Sequence, residues 1–527
     1  MWLHAEVDTL GDIPRYYARH CPERTALIDG AGKLSFGELD AISDRIAAAL
    51  AARLDTVKHV GFLGKNSSRY FQVLFGAAKA GWAVTPLNWR LPPAELAPII
   101  DDAQCSLVWV DHDFAAVFGE TASRCRQTCE MVAFDSSSAE DAALLSWLAS
   151  SPSREPEPRI HPDDTVALIY TSGTTGCPKG VQLTHRTFAG IRLCEHLEPA
   201  LDFQDGDVML TVMPVFHLVG TGLSVQALYN GAAVSLLPAL EPEKLLELIE
   251  RDRPSICALV PTAIQMMLDH PKAKTTDFSS LRLVMYAGSP ISAALLKRAM
   301  AEMKCKLMQF YGSTEASGAL TLLRPEQHDL HNEEKLKSCG TPLPLIEFRV
   351  VDDQGQEVPD GQRGEFMVRG PNMFRGYWNA PEASRAVLKD GWYRTGDAGY
   401  RDQDGLLYIV DRVKDMIVTG GENVYSAEVE QVLYKHPAVK TCAVVGLPDD
   451  RWGERVTAVI VPTSNEPPDA AAIIAHCREH IAGYKVPKEI RFVDSLPVTP
   501  TGKVQKRMLR EQLSATAVSV MPSSLHR

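Results

Sequence analysis

The stretch Tyr170-Thr-Ser-Gly-Thr-Thr-Gly-Cys-Pro-Lys179-Gly180 concentrates more chemistry than any other segment of this chain. Glycines let backbone N–H groups approach anionic oxygens, hydroxyls add donors or a magnesium contact, and a lysine supplies a point charge, so the composition is that of a phosphate cradle. A Walker loop requires Gly-Lys followed by Ser or Thr. Here Pro178 precedes Lys179 and Gly180 follows it, which disfavours a P-loop NTPase. Cys177 has no histidine beside it to act as a base and reads as inert.

Four further segments pair glycines with charged or hydroxyl residues: Tyr311-Gly-Ser-Thr-Glu315-Ala, Tyr393-Arg-Thr-Gly-Asp397, Asp411-Arg412-Val-Lys414-Asp415 followed by Gly420-Gly421-Glu-Asn, and Pro500-Thr-Gly-Lys503. Taken singly they say little. Asp397 in a Thr-Gly-Asp turn reads as a local turn former, and Lys503 as a solvated charge near the C-terminus. In this order, and together with the loop at Tyr170–Gly180, they resemble the adenylate-forming superfamily of acyl-CoA synthetases, peptide-synthetase adenylation domains and firefly-type luciferases. The likeness covers nearly the whole chain and is greatest to fatty-acid or aryl-acid acyl-CoA synthetases.

The resemblance implies a role for each matched position. Thr171, Ser172, Gly173, Thr174, Thr175, Gly176 and Lys179 would cradle the ATP phosphates. Gly288 and Ser289 would line the nucleotide, Tyr311 would pack on adenine, and Gly312 and Thr314 belong to the same motif. Asp397 and Arg412 would reach the ribose hydroxyls, and Thr171 with Glu315 would hold Mg²⁺ through hard oxygen ligands. Lys503 would bridge substrate carboxylate and α-phosphate, where two anions must be brought together. Lys414 matches the hinge about which such enzymes turn their C-terminal domain. That rotation would bring Gly420 and Gly421 against the pantetheine of coenzyme A, with Trp452 and Tyr484 at its nucleotide.

The segment Pro214-Val-Phe-His217-Leu-Val-Gly-Thr-Gly matches the start of the acyl pocket, with His217 near the substrate carboxylate. It lacks the aspartate that amino-acid-activating relatives place here and the arginine of malonate-activating ones. Val219, Gly220 and Gly222 instead suggest an apolar, uncrowded wall. The expectation is therefore an acid–thiol ligase that adenylates a neutral hydrophobic acid, fatty, aromatic or alicyclic, and passes the acyl group to coenzyme A. Two other readings stay open: an adenylating enzyme that loads a carrier protein or oxidises its adenylate as luciferases do, and a non-catalytic binder of the same fold.

These residues need a scaffold, and the pattern of apolar runs supplies one. Phe36, Leu39, Ile42, Ile46 and Leu50 follow helical spacing behind a Ser35/Glu38 capping box. Short apolar runs at 59–64, 83–88 and 166–171 alternate with helical stretches such as 71–81, as in α/β folds. Ser150–Pro162 is proline- and charge-rich and reads as an exposed connector. After Gly340, turn signals such as Asp-Asp-Gln-Gly and Pro-Asp-Gly mark a small β subdomain. The expected fold is thus α/β: a large N-terminal domain over residues 1–411, a small mobile α+β domain over 412–513, and a disordered tail over 514–527.

Composition sets the outer bounds. At 527 residues with a net charge of -12, the chain is large enough for several folding units and too acidic for a general nucleic-acid binder. The segment from Arg412 onward is less acidic, with 15 Lys+Arg against 13 Asp+Glu. Eleven cysteines at irregular spacings, without a C-x-x-C pair, suggest a reducing cytoplasm rather than a disulfide framework. The first residues do not read as a signal peptide, and no apolar run is long enough to span a membrane. Peripheral membrane contact and homodimerisation are left open.

Overall fold

The computed structural model describes residues 4–138, 141–149, 159–171, 178–288, 291–419, 422–449, 451–464, 468–498 and 504–518, together with the backbone of residue 150. The chain divides into two compact units, Met1–Phe348 with Val368–Tyr393, and Arg349–Met367 with Arg394–Arg527. The architecture is α/β, as the alternating apolar runs require.

The first unit is built on two mostly parallel sheets. A six-stranded sheet runs in the order Glu130–Phe134, Leu107–Asp111, His59–Leu63, Ala83–Pro86, Thr165–Thr171, Lys179–Thr184, and only its last strand is antiparallel. A nine-stranded sheet has a parallel centre that includes Val208–Thr211, Ile256–Leu259, Leu283–Tyr286 and Lys306–Ser313, with antiparallel strands at both edges. Strands such as His59–Leu63 are buried at every residue, which explains why they read as continuous apolar runs rather than alternating ones.

One hydrophobic cluster joins Phe62 and Val166 of the smaller sheet to Met209, Val234 and Met285 of the larger, and includes Leu39, Phe75 and Leu228 from three helices between them. Helix Phe36–Ala51 starts at the predicted capping box, with Ser35 and Glu38 each bonding the other's backbone. Helix Ser68–Ala80 is buried along its whole length and stops at Gly81, whose φ of 70° a glycine adopts without strain. Its Lys79 is buried and neutralised by Asp40 and by Asp44 at 2.7 Å. Outer helices cover the far faces: Pro242–Asp252, Pro261–Asp269 and Ala293–Met303 on the larger sheet, and Pro93–Ala103 on the smaller.

In the second unit, strand Leu407–Arg412 pairs antiparallel with Trp392–Arg401. Beyond it stand helix Ser426–Leu433, the long hairpin Val439–Asp449 and Gly453–Pro462, helix Ala470–His480 and strand Glu489–Phe492 parallel to the hairpin's second strand. Two apolar clusters, one around Val429, Val444 and Ile473 and one around Val445, Val459 and Leu509, form its core. No described helix is long and apolar enough to cross a membrane. The ten described cysteines are all free thiols.

Candidate active site

Strand Thr165–Thr171 delivers the start of the glycine-rich loop, and strand Lys179–Thr184 returns from it with Thr171 directly opposite Lys179. Ser172, Gly173, Thr174, Thr175, Gly176 and Cys177 lie between them, outside the described residues. The strand end is pinned by Tyr170, whose hydroxyl donates to Asp102 Oδ2 at 2.5 Å. Burial and that carboxylate push the phenol far above its ordinary range, so it stays a neutral anchor. Gly180 is a close-approach glycine, because a Cβ there would stand 2.9 Å from the Leu168 side chain.

The returning strand has a second neighbour. Gln182 N–H donates to Gly376 O at 3.0 Å, Arg375 N–H to Gln182 O at 3.1 Å and Trp378 N–H to Gly180 O at 2.7 Å, so residues 375–378 run along it. This register places the Tyr377 ring 5.2 Å from the Lys179 ammonium. The Tyr377 hydroxyl donates to Glu315 Oε1 at 2.9 Å. Glu315 sits in a single turn, Thr314–Ala316, started by Ser313 Oγ, which accepts from Ala316 N–H at 3.2 Å. The turn is docked by Phe374 N–H on Glu315 O at 2.8 Å and by the Asn372 amide on Ala316 O. Lys179 and Glu315, far apart in sequence, are thus joined through one tyrosine that the sequence reading did not single out. Its only sequence cue is the aromatic pair in Arg375-Gly-Tyr-Trp-Asn.

Glu315 takes the Tyr377 hydroxyl on Oε1, and Thr171 stands at the strand end opposite Lys179. Among the described residues no group of three His, Cys, Asp or Glu side chains is arranged to hold a metal. A cation at Glu315 would therefore take one carboxylate, a hydroxyl and the remainder from phosphates and water, a set of hard oxygens that fits Mg²⁺. Tyr311 is half-buried on strand Lys306–Ser313, opposite Thr321. Gly312 next to it cannot carry a side chain, since a Cβ would stand 2.0 Å from Gly318 O. Gly288 adopts φ 88°, which favours glycine, and Ser289 lies outside the described residues.

His217 immediately precedes helix Leu218–Tyr229 without a side-chain cap bond, and its Nε2 is buried without a partner among the described residues. Burial, and secondarily the charge of Arg90, lower its pKa to about 4. The ring is therefore neutral at physiological pH and can exchange hydrogen bonds but not carry charge. Arg90 lies 4.8 Å from the Trp89 ring and 5.8 Å from that of Phe216, which in turn stands 4.7 Å from His217.

The expected acyl wall is corrected at one position. A Cβ on Gly220 would meet Pro214 O at 2.4 Å and Met213 O at 2.5 Å, so Gly220 lets two backbones approach and does not open a wall. A Cβ on Gly222 would meet only Leu218, at 3.4 Å. Val219 and Leu223 are the two residues of this helix that are not fully buried.

In the second unit, antiparallel pairing sets Asp397 opposite Arg412, and the guanidinium Nε stands 2.7 Å from Asp397 Oδ1. Asp397 is buried, with its own N–H donating to Thr395 Oγ1 at 3.1 Å. One ladder rung thus produces the carboxylate–guanidinium pair that the separate motifs at 393–397 and 411–415 foreshadow. Lys414 follows in the turn Val413–Asp415, where burial depresses its pKa and Arg510 pairs with Asp415 at 3.0 Å. Trp452, beside the hairpin tip, and Tyr484 are both exposed, at 37% and 40%, rather than core residues. Gly420, Gly421 and Lys503 lie outside the described residues.

Comparison with known proteins places the chain in a family. The family model of the AMP-binding enzymes matches residues 15–378, and that of the AMP-binding enzyme C-terminal domain matches 428–503. A fatty acid–[acyl-carrier-protein] ligase, ScoC, of Streptomyces coeruleorubidus is 37% identical over 97% of both chains. A feruloyl-CoA synthase of an Amycolatopsis species is 36% identical over 95% of this chain and 99% of its own. Among solved structures, the o-succinylbenzoate coenzyme A synthetase MenE of Bacillus subtilis, in complex with ATP and magnesium ion, superposes with a TM-score of 0.81 at 30% identity, covering 95% of this chain and 99% of that one. From the phosphate-loop strands, the Glu315 turn and these matches along nearly its full length, the chain belongs to the AMP-binding enzyme family and carries that family's C-terminal domain.

Proposed function

We propose that this protein is an AMP-forming acid–thiol ligase that converts a predominantly apolar carboxylic acid into its coenzyme A thioester. In the first step a carboxylate oxygen attacks the α-phosphorus of ATP and pyrophosphate leaves, giving the acyl-adenylate. In the second the thiol sulfur of coenzyme A attacks the acyl carbonyl, its proton goes to solvent, and AMP leaves. The observation that carries the reading is the chain of contacts from Lys179 through the Tyr377 ring and hydroxyl to Glu315, with Thr171 opposite Lys179.

In this assignment Lys179 and the loop N–H groups hold the pyrophosphate side, and Tyr377 fixes the orientation of Glu315. When bound, Mg²⁺ neutralises phosphate charge at Glu315 and Thr171. Asp397 suits the two ribose hydroxyls, because a carboxylate accepts from both members of a diol, and Arg412 stands beside it at 2.7 Å. His217, held neutral by burial, can donate a hydrogen bond to the substrate carboxylate without a titration of its own above pH 5. Lys503 serves adenylation and then withdraws as residues 412–513 turn about Lys414, bringing Gly420 and Gly421 to the thiol channel. Exposed Trp452 and Tyr484 are available to the coenzyme A nucleotide. The free thiols fit a cytoplasmic setting.

One observation favours a second acceptor: the 37% identity to a ligase that names an acyl carrier protein. Both acceptors present the same phosphopantetheine thiol. The deciding experiment measures pyrophosphate release over a panel of carboxylic acids, with coenzyme A, holo-acyl carrier protein or neither. Thioester formation with coenzyme A supports the first reading, and thioester only with the carrier protein supports the second. Absence of acid-dependent pyrophosphate release across the panel would overturn both.

A further inference from the structure

A cavity of about 760 Å³ opens at the end of the six-stranded sheet opposite the phosphate loop. Three of its lining residues, His59, Gly81 and Thr165, stand at or just before the first residues of strands His59–Leu63, Ala83–Pro86 and Thr165–Thr171. These strands are parallel, and the last of them carries the loop at its other end. Ligands of open α/β sheets gather at the carboxyl ends of the strands, so a cleft at the amino ends is a separate place. Its volume falls within the roughly 300–1,000 Å³ of small-molecule sites. All of its lining belongs to the first unit, and the segment 375–381 forms one wall.

The chain as a whole is acidic, with 66 Asp+Glu against 54 Lys+Arg, yet this lining carries Lys58, Arg375 and Arg385 against Asp164 alone. Asp164 is engaged, accepting His161 N–H at 2.7 Å. His59 adds no charge, because burial lowers its pKa and its Nδ1 bonds Ala103 O at 2.6 Å. The three cations are exposed, and among the described residues none of them is in an ion pair. Arg375 donates to the Asp163 backbone O at 3.1 Å, while the Asp163 carboxylate is paired with Arg186. Like charges gathered around one cleft repel one another, and a bound anion relieves that repulsion.

We propose that this cleft is a second anion site, that it takes a phosphomonoester of mononucleotide size, and that its occupancy tightens ATP binding. A phosphomonoester brings about 1.5–2 negative charges and three strong acceptor oxygens, which matches three cations better than a single carboxylate does. The effect on ATP rests on the proposed function and runs through Tyr377, which lines the cleft. Ser384, also in the lining, accepts Tyr377 N–H at 2.8 Å. On its other side the Tyr377 hydroxyl holds Glu315 at 2.9 Å, and its ring stands 5.2 Å from the Lys179 ammonium. An anion held by Arg375 and Arg385 engages the chain on both sides of Tyr377 and so fixes the segment that orients Glu315.

The probes are inorganic phosphate, ribose 5-phosphate and uridine 5′-monophosphate, titrated calorimetrically at low ionic strength into the wild type and into the double variant Lys58→Gln with Arg385→Gln. Both side chains are exposed and outside any ion pair among the described residues, so the variant should fold and keep its basal ATP KM. Ribose 5-phosphate should bind the wild type with a Kd below about 1 mM and the variant at least about tenfold more weakly, each exposed ion pair contributing a few-fold. Inorganic phosphate should bind more weakly than either ester, and tighter binding of the uridine ester than of the sugar phosphate identifies the ligand as a nucleotide. In pyrophosphate release, ribose 5-phosphate should lower the wild-type ATP KM about fivefold and leave that of the variant unchanged. Absence of binding to the wild type, equal binding by the variant, or an ATP KM that is unmoved or rises alike in both proteins overturns the inference and leaves the proposed function intact. Absence of acid-dependent pyrophosphate release overturns the proposed function, and calorimetry then decides the anion site by itself.

Discussion

Replacing Tyr377 with phenylalanine removes one oxygen and leaves the ring. The hydroxyl donates to a carboxylate at 2.9 Å, and a hydrogen bond to a charged group contributes about 1.5–3 kcal/mol. If that bond orients Glu315 for Mg²⁺, its loss should weaken apparent magnesium affinity roughly ten- to a hundredfold, the usual effect of removing a group that orients a metal ligand. The Lys179 ammonium stays over the ring, so the ATP KM at saturating magnesium should hardly change. Tyr377→Leu removes the ring as well and should add a further loss of about 0.5–1 kcal/mol, seen as a roughly two- to fivefold rise in ATP KM. Pyrophosphate release measured over a grid of magnesium and ATP concentrations separates the two effects. A Tyr377→Phe protein with wild-type magnesium dependence would refute the assignment of Glu315 as a ligand held by Tyr377.

Three other outcomes follow from the same geometry. Lys503→Ala should cripple adenylation yet leave thioester formation from supplied acyl-adenylate nearly intact; equal loss of both half-reactions would contradict the two-state assignment. Gly220→Ala should destabilise by about 1–3 kcal/mol, read as a lower urea midpoint, because its Cβ would meet two carbonyl oxygens. Gly222→Phe should shift preference toward shorter acids, so an unchanged chain-length profile in the folded protein would place that face outside the pocket.

Stability should also depend on pH through His185. This ring is buried, its Nδ1 accepts Leu10 N–H at 3.0 Å, and burial lowers its pKa to about 4. The unfolded chain binds the proton near pH 6.5, so the stabilisation is fully present above that value and is lost as pH falls toward 4. The cost between pH 7 and pH 5 is about 2 kcal/mol. Urea unfolding at both values should show it, and His185→Asn should flatten the difference.

The sequence alone determined the phosphate chemistry and the alternation of strands and helices. A loop such as Tyr170–Gly180 would cradle phosphates through its own backbone N–H groups and hydroxyls, so the proposed chemistry is written in consecutive residues. The same holds for the capping box at Ser35 and for the turn at Glu315. Tertiary structure alone decided which side chains stand behind those loops and which way the acyl helix faces. Tyr377 acquires its part only because residues 375–378 lie along strand Lys179–Thr184, a pairing nearly two hundred residues distant in the chain. Gly220 and Gly222 look alike in sequence. A Cβ on the first would clash with Pro214 O and Met213 O while one on the second would only touch Leu218, and a helix buried on nearly every side has no amphipathic pattern to tell the two positions apart. For the same reason the neutral state of His217 was invisible until its burial was known, since it depends on what surrounds a side chain rather than on its neighbours in the chain.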